Sequence, residues 1–113
     1  MMKYKLEYSQ IVRKKLKTLK ACLVEQYGEE FAKSSLKKIT DYARTLIKNP
    51  EIGTDLSAIL GIETDYRSVF VNHNYLFYYI ESSTIIIAEM FNEKEDFMLK
   101  LFGISGRTKE SID

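Results

Sequence analysis

The stretch from Asp65 to Phe97 constrains the fold of this chain more than any other feature. It contains three short runs of β-branched and aromatic residues, separated by two short polar breaks. Runs of this length with turn residues between them are typical of β-strands joined by tight turns. The sequence therefore predicts a three-stranded meander. Its strands are expected at 66–72, 75–80 and 84–91, with turns at His73–Asn74 and Ser82–Ser83.

Two amphipathic helical patterns precede the meander. In each, apolar residues recur at steps of three or four, which places them on one face of a helix. Ser9 is suited to cap the first helix and Gly28 to end it. The second helix should end before Asn49–Pro50, because proline disfavours the α region for the residue before it. The apolar sets are Val12, Leu16, Leu19, Leu23 and Tyr27, then Ala32, Leu36, Ile39, Ala43 and Leu46.

The remaining elements complete an α+β fold. Tyr4 to Tyr8 alternates in polarity and predicts an opening strand. Asn92 could cap a last helix through Leu101, followed by a polar tail at 104–113. With 113 residues, the chain is expected to form one domain spanning 1–113. The predicted order is β-α-α-β-β-β(-α), with the helical hairpin packed on one face of a mainly antiparallel four-stranded sheet.

The predicted strand at 75–80 is apolar on both of its faces, which is typical of a central strand covered from both sides. A helical hairpin can cover only one face of a sheet. The terminal helix could cover part of the other face, with core packing as the simpler role of its apolar side. We interpret the remainder as a binding surface for another polypeptide.

Composition excludes several classes of function. No apolar run approaches the roughly 20 residues of a membrane span, and no signal-type segment begins the chain. Cys22 is the only cysteine, which fits a cytoplasmic protein, and its place beside the apolar stripe predicts a core thiol. One histidine and one cysteine do not make a zinc site, and the glycines never cluster as in a phosphate loop. We therefore expect no metal and no cofactor.

Charge is distributed unevenly along the chain. Residues 1–48 carry twelve Lys/Arg and five Asp/Glu, a balance of +7, whereas residues 49–113 carry five and eleven, a balance of −6. The densest cationic run is the basic face of the first helix, Arg13, Lys14, Lys17 and Lys20, together with Lys15. It is either a solvated helix face or a surface for an anionic partner.

The amino-acid sequence of the meander resembles that of one protein family. Arg67-Ser68, the run from Tyr75 to Tyr79 and the run from Ile85 to Ile87 are similar to the meander of the RelE/ParE superfamily of bacterial toxins. Membership implies the toxin half of a type II toxin–antitoxin module, of the kind that stabilises plasmids. It also implies a cognate antitoxin whose extended part wraps the toxin.

Two activities occur in this superfamily, and the sequence is closer to the ParE-like branch. RelE-like members cut mRNA on the ribosome, whereas ParE-like members act on DNA gyrase. The RelE-like branch has an arginine in the third strand, where this chain has Leu76, and it has basic or imidazole side chains where this chain has Glu89 and Asn92. The resemblance favours a toxin that acts by protein binding. A ribosome-dependent endoribonuclease and a non-toxic degenerate member remain alternatives, so the sequence does not decide whether the chain is an enzyme.

Candidate site residues follow from these alternatives. Cleavage of RNA needs a base, an acid and cations. The weak catalytic candidates are Arg67, Lys94 and His73, with the carboxylates Glu89 and Glu93 beside them. Arg67 could instead pair with Glu89 or Glu81, and His73 could be a polar turn residue. A homodimer is a further assembly that the sequence allows. The residues expected to bind a protein partner are Arg67, Tyr75, Phe77, Tyr79, Phe97 and Leu101.

Overall fold

The computed structural model describes residues 3–61 and 63–94, without the side chains of 59 and 60. Within these ranges the helical hairpin and the meander are present, which confirms the α+β fold. The predicted helix through Leu101, the tail at 104–113, Phe97 and Leu101 lie outside the described residues. The elements are β1 (Lys5–Tyr8), α1 (Gln10–Tyr27), α2 (Glu29–Thr45), β2 (Thr54–Asp55), α3 (Leu56–Leu60), β3 (Arg67–Val71), β4 (Asn74–Glu81) and β5 (Thr84–Asn92).

The described strands form one sheet in the order β1-β5-β4-β3-β2. It has five strands where four were predicted, because Thr54 and Asp55 pair with Ser68 and Arg67 along the outer edge of β3. β1 runs parallel to β5, and the other neighbouring pairs are antiparallel. The register of β4 against β5 shifts between Phe77 and Tyr78, as at a β-bulge.

Both turns of the meander use left-handed backbone conformations. Asn72 and His73 have φ of 50° and 68°, and Ser82 and Ser83 have φ of 49° and 65°. Two consecutive residues with positive φ match the twist of a two-residue hairpin. The prediction for the second turn is confirmed. The first turn was predicted one residue too late, because Asn72 rather than Asn74 takes the left-handed position, and Asn74 begins β4.

Local chemistry sets the ends of α1. The Ser9 hydroxyl accepts a hydrogen bond from the Val12 amide at 3.1 Å, as predicted for an N-cap. Gly28 adopts φ of 97° and ends the helix. The prediction that Cys22 is a core thiol is wrong, because its side chain is exposed. Cys22 lies at the margin of the apolar stripe, and the buried face of α1 is narrower than the stripe.

The main core lies between the helical hairpin and the sheet. α1 and α2 supply residues from their apolar stripes, and the strands supply the alternate residues that point toward them. Leu76 and Tyr78 are fully buried at its centre. The buried members are Val12, Ile39, Ala43, Leu46, Val69, Leu76, Tyr78, Ile85, Ile87 and Met90.

The opposite face of the sheet carries a second, smaller core. Leu56 of α3, Phe77 and Phe91 are buried there, and Tyr66 and Tyr75 pack against them. Phe77 and Phe91 meet edge to face, with ring centroids 5.7 Å apart. The expectation that this face lies open to a partner is therefore wrong at its centre. The short helix α3 contributes Leu56 to this face.

Candidate functional site

A groove separates the tip of the helical hairpin from the first turn of the meander. Its volume is about 470 Å³. One wall comes from the end of α1 and the start of α2, and the other comes from the turn before β4 and the residues that end β5. The lining residues are Leu19, Leu23, Gln26, Tyr27, Phe31, Ser35, Asn72, His73, Asn74, Asn92, Glu93 and Lys94.

An imidazole–carboxylate pair stands on the strand side of this groove. His73 Nδ1 lies 2.8 Å from Glu93 Oε2, and the Glu93 amide donates to the His73 carbonyl at 2.8 Å. The His73 side chain is 72% exposed. When Nδ1 donates to the carboxylate, Nε2 remains an acceptor directed elsewhere. Lys94 lines the same groove, so the candidates His73, Lys94 and Glu93 come together here, whereas Arg67 and Glu89 do not line it.

Two aromatic rings form the helix side of the groove. Tyr27 ends α1 and Phe31 lies in the first turn of α2, with ring centroids 4.7 Å apart. Tyr27 is 61% exposed and Phe31 is 49% exposed. Exposed aromatic rings beside a concave surface are typical anchors for a protein partner, since they offer apolar area at a low cost in side-chain entropy.

The groove continues along α1 as a hollow of about 330 Å³ that is lined by Lys14, Lys15 and Cys22, among others. Lys15 passes around the edge of β5 in this region. Its Nζ lies 3.1 Å from Glu89 Oε1, 2.8 Å from the Met90 carbonyl and 4.1 Å from the centroid of the Phe91 ring. Lys15 therefore leaves the solvated basic run and joins α1 to the far face of the sheet.

Arg67 begins β3, at the opposite end of that strand from the Asn72–His73 turn that borders this groove. It stands opposite Tyr78 on the helix-facing side of the sheet. Its Nη1 donates to the carbonyls of Glu51 and Gly53 at 3.2 and 2.9 Å. The predicted pairing of Arg67 with Glu89 or Glu81 is wrong, because these backbone carbonyls of the loop before β2 are its partners. The structure does not bring Arg67 together with His73 and Lys94.

Tyr78 anchors the same loop. Its hydroxyl donates to the Pro50 carbonyl at 2.8 Å and accepts from the Gly53 amide at 2.9 Å. Burial raises the pKa of the Tyr78 hydroxyl above the ordinary value, although the Gly53 hydrogen bond and the Arg67 charge act in the opposite direction. Arg67 and Tyr78 therefore hold a loop in place, which is a structural role.

The aromatic residues predicted to bind a partner lie on the face of the sheet opposite the hairpin. Phe77 is fully buried and offers no surface, which corrects its assignment as a contact residue. Tyr75 is half-buried against Phe77. Tyr79 meets Tyr66 edge to face and lines a shallow hollow of about 270 Å³. Arg67 lies on the other face, so this predicted set does not form one surface.

The four residues of the basic face of α1 are all exposed: Arg13, Lys14, Lys17 and Lys20. In the described ranges, no group of three or more His, Cys, Asp and Glu side chains could hold a metal ion. Among the helices that the structure describes, none has the length and apolar character needed to cross a membrane.

Sequence reasoning named Glu93 as a candidate carboxylate but missed its pairing with His73, and it missed Phe31 and Lys15 as parts of this region. Glu93 contacts His73, which is 20 residues away in the sequence, and Lys15 contacts Glu89, which is 74 residues away. Such contacts depend on the packing of the hairpin and leave no local pattern. Tyr27 and Phe31 offered one indication, because two aromatic residues flank the glycine at the hairpin tip.

Comparisons with known proteins agree with this architecture. The family described as the ParE toxin of the type II toxin-antitoxin system, parDE, matches residues 6–97. A solved structure described as the chromosomal ParDE TA system from P. aeruginosa superposes with a TM-score of 0.65 at 15% sequence identity, covering 79% of this chain and 95% of that one. That likeness shows a shared fold. No curated protein sequence matches significantly. From the family match, the chain belongs to the ParE toxins of type II toxin–antitoxin systems.

Proposed function

We propose that this toxin acts by binding DNA gyrase and that a cognate antitoxin neutralises it by occupying the groove beside Tyr27 and Phe31. The observation that favours protein binding over RNA cleavage is the burial of Leu76. Leu76 lies in β4, at the position where the RelE-like branch has an arginine, and it is fully buried beneath the helices. A cation at this position would face the apolar core rather than a phosphate, and burying it there would be strongly unfavourable.

Two of the other candidate residues already have partners within the fold, which supports the same proposal. Arg67 is held by two loop carbonyls, and Glu89 is paired with Lys15. A site for a phosphorane-like transition state needs cations directed at the reacting phosphate. Of the candidate cations and the candidate imidazole in the described chain, only Lys94 and His73 line the groove. This fits a surface for protein recognition better than a nuclease site.

The groove has the features of a docking site for an antitoxin segment. It presents exposed aromatic rings beside Leu19 and Leu23, with amide and charged groups opposite them. An amphipathic segment could place apolar side chains against Tyr27 and Phe31 and polar groups toward the His73 side, as in helix-in-groove recognition.

A second candidate function rests on the His73–Glu93 pair. A carboxylate that holds one imidazole nitrogen orients the other for proton transfer, and Lys94 supplies a nearby cation. This arrangement would suit a RelE-like endoribonuclease that does not use Arg67. The prediction for that alternative is mRNA cleavage within codons that disappears in His73→Ala.

Controlled expression tests the proposed function. Induction of the chain should arrest growth, and co-expression of the small open reading frame beside its gene should restore it. His73→Ala should remain toxic if the chain acts by binding. A chain that causes no arrest when it is folded and abundant would contradict the proposal and favour a degenerate antitoxin-binding module.

A further inference from the structure

This side of the sheet has two exposed strand edges: the part of β5 that extends beyond β1, and the outer edge of β1. Side chains cover the backbone groups of the first. Where β5 extends beyond β1, side chains occupy its outer carbonyls: Ser9 Oγ lies 3.0 Å from the Ala88 carbonyl and Lys15 Nζ lies 2.8 Å from the Met90 carbonyl. This is how natural sheets protect an edge from pairing with another chain. β1, in contrast, ends the sheet on this side, with β5 as its only neighbouring strand among the described residues.

The outer edge of β1 presents the backbone groups of its even-numbered residues. The Lys5 amide donates to the Ser83 carbonyl at 2.9 Å, and the Ser9 amide donates to the Ile87 carbonyl at 3.0 Å. The odd-numbered residues therefore direct their amides toward β5. Because successive peptide groups of a strand point in opposite directions, those of Leu6 and Tyr8 point away from the sheet.

The side chains of β1 are complementary to a second copy of the same strand. Lys5 and Glu7 are exposed on one face, and Leu6 and Tyr8 are half-buried on the other. In an antiparallel pair with its two-fold axis at Leu6, Lys5 of each copy lies opposite Glu7 of the other. The two Leu6 residues then exchange backbone hydrogen bonds, and Tyr4 lies opposite Tyr8 of the second copy. Opposite charges placed directly across two strands stabilise their pairing.

Charge also selects this register over its neighbours. An axis at Lys5 would place the two Lys5 side chains opposite each other, and an axis at Glu7 would do the same to the two Glu7 side chains. Like charges directly opposite are destabilising. Only the axis at Leu6 forms both opposite-charge pairs, so the exposed charges specify one arrangement.

We propose that two copies of this chain associate through antiparallel pairing of β1, which joins two five-stranded sheets into one of ten strands. The contact involves few residues, so the dimer should be weak and dependent on concentration. This inference does not depend on the toxin's target or on the groove, which lies beside β4 and β5.

Sedimentation equilibrium on the full-length protein tests the proposal, at concentrations up to about 1 mM. The unmodified chain should form a dimer. Lys5→Glu and Glu7→Lys should each raise the dissociation constant at least about tenfold, because each places like charges across the pair. An equimolar mixture of the two variants should recover association, since the Lys5→Glu copy then complements the Glu7→Lys copy. Circular dichroism establishes that both variants are folded.

Lys3→Glu is the matched control. It changes the net charge as much as Lys5→Glu does, but Lys3 lies opposite Ser9 in the proposed register, so the dimer should persist. A monomer at every concentration would overturn the proposal, as would a dimer insensitive to both reversals. A monomer whose complex with the antitoxin is disrupted by Lys5→Glu would also overturn it and would assign this edge to an antitoxin strand.

Discussion

The Lys15 ammonium and the Glu89 carboxylate join the first helix to the last strand of the sheet, with Nζ 3.1 Å from Oε1. The same nitrogen bonds to the Met90 carbonyl and stands over the Phe91 ring. One side chain thus connects the helix layer, the edge of β5 and the smaller core on the far face. Its contacts also close the part of the β5 edge that β1 leaves uncovered.

Replacement of Lys15 by methionine should destabilise the protein. Methionine retains the apolar stem but removes the charge, leaving Glu89 and the Met90 carbonyl without this partner. We expect a loss of about 1–2 kcal/mol in the free energy of unfolding, because the contacts are partly shielded from water. Urea denaturation of the purified variant measures this loss.

A double-mutant cycle with Glu89→Gln isolates the ion pair. If the pair contributes, the double variant should lose less stability than the two single variants together. Lys14→Met is the control, because Lys14 is an exposed neighbour on the same helix and should cost little. Equal effects of Lys14→Met and Lys15→Met would show that the contacts of Lys15 carry no stability.

Gly53→Ala should destabilise the loop before β2. A Cβ at this position would lie 2.5 Å from the Tyr78 hydroxyl oxygen and 3.0 Å from the Ser68 carbonyl oxygen. Because Tyr78 is held in the core, the loop must move and lose hydrogen bonds, at a cost of roughly 1–3 kcal/mol. Thermal unfolding measures the change. Tyr78→Phe should partly relieve the effect of Gly53→Ala, since it removes the nearest clashing atom, and purely additive losses would argue against the clash.

Tyr78→Phe should also alter stability at alkaline pH. The pKa of Tyr78 is raised in the folded state by burial, so the folded protein holds this proton more tightly than the unfolded chain does. The stability that the protonated Tyr78 hydroxyl contributes is present below its pKa in the unfolded chain, about 10. That stability is lost as the pH rises through the pKa of Tyr78 in the folded protein. The variant should therefore lose less stability than the unmodified protein on passing above about pH 10.

Denaturation at neutral and alkaline pH compares the two proteins. The pKa values of Tyr8 and Tyr66 are also raised by burial, so some alkaline sensitivity should remain in Tyr78→Phe. An alkaline loss of the same size in both proteins would contradict the role assigned to Tyr78.

Tyr27→Ala should weaken neutralisation by the antitoxin while leaving the fold intact. Tyr27 is 61% exposed, so its truncation removes little from the core, but it removes an aromatic anchor of the groove. Loss of such an anchor typically weakens binding by about 1–3 kcal/mol. Isothermal titration with the antitoxin measures this loss. Ile52→Ala is the control, because Ile52 is 57% exposed and does not line the groove. Equal affinities for Tyr27→Ala and the unmodified chain would place the antitoxin elsewhere.

The sequence predicted those elements that are determined locally. The two helices follow from their apolar spacing and from Ser9 and Gly28, and the meander follows from its β-branched and aromatic runs. The first turn was displaced by one residue because Asn72, His73 and Asn74 are all turn formers. β2 was missed because Thr54 and Asp55 form a strand only through their pairing with β3.

The groove was less accessible to sequence reasoning. His73, Lys94 and Glu93 were identified by residue type, but the sequence could not distinguish Glu93 from Glu89 as the carboxylate that orients His73. Lys15 was grouped with the basic face of the first helix, although it bonds to Glu89 and Met90. Phe77 was assigned to a partner surface because strand alternation gives the face of a side chain and not what covers it.

Supercoiling by purified DNA gyrase, measured in the presence of this protein, decides whether the toxin acts by binding gyrase. We expect concentration-dependent inhibition by the unmodified chain and by His73→Ala, and restored supercoiling when the antitoxin is added. Unchanged supercoiling, together with ribosome-dependent mRNA cleavage that His73→Ala abolishes, would contradict it.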